Sequence, residues 1–164
     1  MAVLAAAGQA MAQGSAQQSV AGTGTIFQPI VLSKVTDLEF GTVVRPLAGS
    51  GTVAVDPATG QRSIVGQGFL VSSGATPTRA AFTVAGEGAQ TFSINVAPSL
   101  TLTRSGGSET LNVNLTPSAA TGTLAGPAGS TGTASFGIGG QLPVSSATTV
   151  GAYAGTFTVT VAYN

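Results

Sequence analysis

The chain has 164 residues, of which only 6% are charged, and five cations and five anions give a net charge of zero. This balance is a poor fit to nucleic-acid binding, which needs clustered Lys and Arg. His and Cys are absent, which excludes disulfides, His or Cys metal centres and catalysis by Ser-His or Cys-His pairs. The length fits one domain.

The first twelve residues, Met1–Ala12, are typical of part of a signal peptide. Ala10-Met11-Ala12 fits the small-x-small pattern of a signal peptidase site, with cleavage before Gln13. The apolar run is short and no positive segment precedes it, so we expect the natural start to lie upstream. A disordered Ala-rich tail is the alternative. We therefore expect export to the periplasm and then to the cell surface or medium, with no transmembrane span, since no later stretch has about 18 apolar residues.

Residues 13–24 are small, polar and rich in Gly, which predicts a flexible leader and possible donor strand. Residues 25–164 form the predicted domain, in which Val, Thr and Phe favour strands while Gly and Pro mark turns. The turn Asp56–Gly60 predicts a hairpin between strands at 52–55 and 62–65. The other expected elements are an extended segment over 20–34 and strands at 38–40, 68–71, 80–84, 90–96, 100–103, 111–115 and 134–144, with a short strand near Thr123.

The clearest predicted element is the last strand, from Tyr153 to Tyr163, where apolar and aromatic residues alternate with Thr and Ala. Alternate side chains of a strand point to opposite faces, so one set should enter the core. The core-facing residues are expected to include Phe157, Val159 and Val161. Many short strands at this spacing, with no helical periodicity, predict an all-β, two-sheet sandwich.

Few residues could carry chemistry. Asp37 and Glu39 could form a glycosidase-type carboxylate pair, but solvated charges at a strand edge are the better interpretation. The run Gly137–Gly140 has no following Lys and indicates a strand bend or bulge rather than a phosphate loop. We therefore expect no enzyme activity and no catalytic, metal or cofactor-binding residues.

Two segments carry a resemblance to a known family. Thr25–Lys34 (TIFQPIVLSK), followed by Asp37–Gly41 (DLEFG), resembles the opening of a bacterial family of exported domains of unknown function. Gly151–Tyr163 resembles its close. The same layout is similar to spore coat protein U and to chaperone–usher pilins. The resemblance implies an immunoglobulin-like, pilin-like sandwich that lacks its last strand and receives one from a neighbouring subunit, because strand addition covers apolar side chains and pairs free backbone.

The function that this resemblance implies is a structural subunit of a pilus-like surface fibre that polymerises by donor-strand exchange. Its partners would be copies of itself or related subunits, with a periplasmic chaperone and an outer-membrane usher. Ala16 and Val20 would be the donor side chains. The acceptor groove would be formed by the C-terminal strand, at Tyr153, Phe157, Val159, Val161 and Tyr163.

The alternative is a self-complete exported sandwich that binds a polysaccharide or a matrix component. In that case residues 13–21 would be its first strand. An aromatic platform for sugars is not favoured, because the chain has no Trp and only two Tyr.

Overall fold

The computed structural model of the chain describes residues 14–66, 70–71 and 74–164. The predicted signal peptide and Gln13 lie outside the described residues. The described part contains thirteen strands and no helix, and hence no helix long and apolar enough to cross a membrane. In chain order the strands are β1 Val31–Thr36, β2 Val43–Val44, β3 Ser50–Val55, β4 Arg62–Val65, β5 Leu70–Val71, β6 Ala80–Glu87, β7 Thr91–Val96, β8 Ser99–Arg104, β9 Thr110–Pro117, β10 Thr121–Thr123, β11 Thr131–Ser145, β12 Tyr153–Ala154 and β13 Val159–Tyr163.

The strands form three antiparallel sheets. The largest has the order β1-β6-β11-β9-β8-β12, with β3 paired to β11 and β4 to β3. The second has the order β10-β7-β13, and the third consists of β2 and β5. Phe92 and Ile94 of the second sheet belong to the same buried cluster as Val53, Val84 and Val113 of the first. One apolar core therefore holds these two sheets together.

The fifteen-residue strand β11 organises the first sheet by changing partners along its length. Its first half, to Ile138, pairs with β6, and from Gly140 it pairs with β3. At the crossing, a Cβ on Gly139 would overlap the carbonyl oxygen of Val55 and the backbone of Pro57. Glycine is needed here because the turn after β3 lies directly against the strand. The bend or bulge expected over Gly137–Gly140 stays a prediction.

The hairpin turn after β3 forms as predicted. Asp56 Oδ1 accepts hydrogen bonds from the backbone N–H of Ala58 at 2.9 Å and of Thr59 at 2.7 Å. Gly60 closes the turn with a φ of 76°, a left-handed conformation that glycine adopts without strain. These two residue types at this spacing explain why the turn could be located from the sequence.

The predicted C-terminal strand is divided in two, so the single strand expected from Tyr153 to Tyr163 is wrong. The first part, β12, pairs with β8 in the large sheet, whereas β13 pairs with β7 in the second sheet. The chain passes against β8 between them, since a Cβ on Gly155 would overlap the carbonyl oxygen of Thr101. Side-chain alternation continues through the crossing, which is why the pattern did not reveal the change of sheet.

The predicted faces of this segment are confirmed. Phe157, Val159 and Val161 are partly buried and pack against the core, while Thr158 and Thr160 are exposed. A smaller difference concerns the segment Asp37–Gly41, where the expected strand is reduced to one bridge between Glu39 and Thr78. Of the strand predicted at 68–71, β5 provides the last two residues and the rest lies outside the described ranges.

Candidate functional site

An open cleft of about 730 Å³ runs along one side of the core. One wall is formed by β1 and the chain that continues from it to Arg45, and the other by residues 148–157 and Val159. Large apolar side chains contribute to its lining, among them Leu32, Phe82, Leu100, Leu102, Leu142 and Phe157. An exposed apolar cleft of this size on a small domain is typical of a binding surface.

Two sheet edges border the cleft. In the described part of the chain β1 pairs only with β6, and β13 pairs only with β7, so each has one free edge. Leu32 of β1 and Val159 of β13 both line the cleft. A free edge presents a row of unpaired N–H and C=O groups, which is a template for another strand. The cleft therefore combines apolar side chains with unpaired backbone.

Beyond Val159, the last residue of β13 that lines the cleft, the end of this strand is held by a set of contacts that we call the latch, made by Tyr163, Gln28 and Glu87. The Tyr163 hydroxyl donates to the carbonyl oxygen of Gln28 at 2.9 Å and accepts from the backbone N–H of Glu87 at 2.7 Å. It lies against Gly86, where a Cβ would overlap the hydroxyl oxygen. The Phe27 ring packs on the Tyr163 ring with a centroid separation of 5.9 Å. The latch thus joins the end of β13 to the residues that precede β1.

Glu87 is the buried charged residue of the latch, with 5% of its surface exposed. Its carboxylate accepts from the backbone N–H of Gly129 and, at 3.5 Å, from that of Gln28. A buried carboxylate is tolerated when backbone N–H groups satisfy it, and such bonds are among the stronger ones in proteins. The point at which the leader leaves the domain is therefore firmly held.

The opposite end of the cleft is crossed by Arg45, whose Nη1 donates to the carbonyl oxygen of Thr148 at 2.7 Å. The two loops that meet here also share a hydrogen bond from the N–H of Ser146 to the carbonyl oxygen of Gly49, at 3.0 Å. Lys34 and Asp37 form an exposed ion pair at 2.7 Å on the wall of the cleft. Because both are solvated, this pair adds little stability. The lining of the cleft therefore includes charged and polar side chains as well as the apolar ones.

Comparison with known proteins gives a family. Residues 30–163 match the family described as "Domain of unknown function (DUF4402)". The chain belongs to this family. No curated protein and no solved structure matches the chain significantly. The family match agrees with the expected exported-domain family only in its unknown function, and the likeness to spore coat protein U and to pilins stays a prediction.

Three of the five predicted acceptor residues line the cleft, and the other two lie further along β13, outside its lining. Tyr153, Phe157 and Val159 line the cleft, and Val161 and Tyr163 continue the same strand face to the latch. The predicted donor residues, Ala16 and Val20, are exposed in a leader that forms no strand between residues 14 and 30. Val20 is 90% and Ile26 is 96% exposed. The leader therefore lies outside the cleft of its own chain.

Sequence reasoning missed the long-range contacts that Arg45 and the latch residues make. Arg45 is one cation among five, and nothing near it in the sequence points to Thr148, which is 103 positions away. Gln28 binds Tyr163 across 135 positions. Glu87 did carry a local signal, because it is a lone carboxylate at the end of an apolar strand. A pattern of alternating residues cannot supply such long-range pairings.

Proposed function

We propose that this domain is an immunoglobulin-like two-sheet sandwich short of one strand. In this proposal it is a structural subunit of an exported, pilus-like surface fibre, and it polymerises by donor-strand exchange. The observation that carries the proposal is the apolar cleft between the free edges of β1 and β13, with the leader outside it. A strand laid in the cleft would bury apolar side chains and pair backbone on both sides.

The leader of a second copy fits the cleft in length. Gly14–Ile26 has thirteen residues, which span about 40 Å when extended at about 3.3 Å per residue. β11, of which Leu142 and Val144 line the cleft, has fifteen residues and spans about 46 Å at the same rise. One leader is therefore nearly as long as the longest strand that contributes to the cleft.

The spacing of apolar residues in the leader also fits an apolar cleft. Ala16, Val20 and Ile26 are separated by even numbers of residues, so an extended leader presents all three on one face. The other even-numbered residues, one Gln and two Gly, share that face, whereas the odd-numbered residues between Ala16 and Ile26 are small or polar and would face solvent. Its own cleft is a poor target, because the residues that would have to form the reversing turn, Phe27 and Gln28, are held by Tyr163 in the latch.

The test is complementation in trans. A chain that begins at Phe27 keeps the latch and loses the donor, and a synthetic Gly14–Ile26 peptide replaces it. Binding to the folded state should raise stability by about 2.7 kcal/mol at a peptide concentration one hundred times Kd, so the melting temperature should rise with peptide. A peptide with Val20→Asp is the matched control and should give a much smaller shift. An unchanged melting temperature with the wild-type peptide would favour the self-complete binding domain.

A further inference from the structure

Two exposed apolar features lie at opposite ends of the domain. At the latch end, Gln28 accepts a hydrogen bond from the hydroxyl of Thr131, the first residue of β11, and beside it Ile26 is 96% and Phe27 47% exposed. At the other end, past the last residue of β11, Leu47 is 101% and Val150 70% exposed. We call Leu47 and Val150 the far tip.

The far tip is carried by two loops that are bonded to each other. The N–H of Ser146 donates to the carbonyl oxygen of Gly49, and Arg45 donates to that of Thr148, so both loops are fixed relative to β11. Arg45 is the one charged residue in segments 45–49 and 146–152, and its guanidinium is engaged. An apolar pair in otherwise uncharged, cross-linked loops is suited to contact with another apolar surface.

In a growing fibre, the direction in which a donated leader lies in the cleft determines which surface meets the far tip. A leader could enter a neighbour's cleft with Ile26 next to the neighbour's latch. Two latch ends would then meet, and a reciprocal, closed pair would result. If Ile26 instead lies next to the neighbour's far tip, the assembly keeps a free cleft at one end and a free leader at the other. Only this head-to-tail arrangement can continue without closing.

We infer that the far tip is a second contact between fibre subunits, at which Leu47 and Val150 of one copy pack against Ile26 and Phe27 of the next. The inference rests on the proposed function, because the neighbour's leader is what brings Ile26 to this end of the cleft. In this arrangement the latch end of one subunit lies against the Arg45 end of its neighbour. The donor then runs antiparallel to β13 and parallel to β1.

Cross-linking tests the contact directly, because the full chain contains no cysteine. Full-length Ile26→Cys and Leu47→Cys chains are mixed and mildly oxidised. We expect a disulfide-linked heterodimer, since a disulfide forms only when the two Cα atoms come within about 7 Å. Val35→Cys, at a residue 63% exposed on β1, is the matched control and should link at least fivefold less. Equal linking of both, or preferential Ile26→Cys homodimers, would overturn the assignment.

A second experiment separates this contact from strand donation. In the full chain, Leu47→Asp should reduce the yield of polymers about tenfold or more, and the Gly14–Ile26 peptide should still bind, because Leu47 does not line the cleft. Val65→Asp is the control, because Val65 is 72% exposed and does not line the cleft. Unchanged polymer yield in the Leu47→Asp variant would refute the far-tip contact alone. Failure of the wild-type chain to bind peptide would refute strand donation, and a specific Ile26–Leu47 cross-link would then still establish the head-to-tail contact.

Discussion

Truncation of one leader side chain, Val20→Ala, should weaken assembly without changing the stability of the isolated chain. Val20 is 90% exposed, so it contributes almost nothing to the folded monomer. In a neighbour's cleft it would be buried. Removing two methylene equivalents of about 0.8 kcal/mol each, scaled by that exposure, gives about 1.4 kcal/mol of lost binding free energy. This corresponds to a roughly tenfold larger Kd.

The assay compares two quantities for the same variant. Urea unfolding of the isolated full-length chain should give a free energy of unfolding within about 0.5 kcal/mol of wild type, as for surface changes generally. Fluorescence anisotropy of labelled Gly14–Ile26 peptides should show the tenfold loss. Thr23→Ala, at an exposed residue on the opposite face of an extended leader, is the matched control and should leave both quantities unchanged. Equal affinities of the Val20→Ala and wild-type peptides would refute the assignment of Val20 to the buried face.

Three further changes test the latch, the β11 crossing and the hairpin turn. Tyr163→Phe leaves a backbone N–H of β6 without its acceptor and should lower the free energy of unfolding by about 1–3 kcal/mol in urea titrations. Gly139→Ala would press a methyl group onto backbone atoms and should cost about 1–3 kcal/mol or more, whereas Gly22→Ala, with open space around it, should be neutral. The hydrogen bond from the backbone N–H of Thr59 lowers the pKa of Asp56 below its usual value. Its contribution to stability is therefore present above about pH 4 and is lost as the pH falls through that lowered pKa, so the advantage of wild type over Asp56→Asn in pH-dependent melts should shrink in acid.

The sequence predicts local elements well because the signals for them are local. Asp56 and Gly60 mark a turn by their own side-chain and backbone preferences, and the apolar alternation at 111–115 marks one face of β9. The pairing of one strand with another cannot be predicted in this way, since it depends on which strands meet in space. Nothing between Tyr153 and Tyr163 shows that the chain leaves the large sheet for the second one.

The residues of the candidate site likewise fall into those that the sequence predicts and those that it does not. Alternation identifies Phe157 and Val159 as inward-facing residues, and the structure adds that they line a cleft rather than a closed core. The contact of Arg45 with Thr148 joins residues 103 positions apart, and the contact of Tyr163 with Gln28 in the latch joins residues 135 positions apart. Composition could not reveal them, because Arg45 differs from other surface cations only in its position in the fold.

Amide hydrogen exchange of β1 and β13 tests the central claim most directly. In the chain that begins at Phe27, the N–H groups on the free edges of Val31–Thr36 and Val159–Tyr163 should exchange rapidly, because no strand among the described residues pairs with them there. Saturating Gly14–Ile26 peptide should slow exchange at alternate residues of both strands, as backbone pairing on two sides requires. Unchanged exchange at these edges with peptide bound, or protection already complete without it, would contradict a domain that is completed by a donated strand.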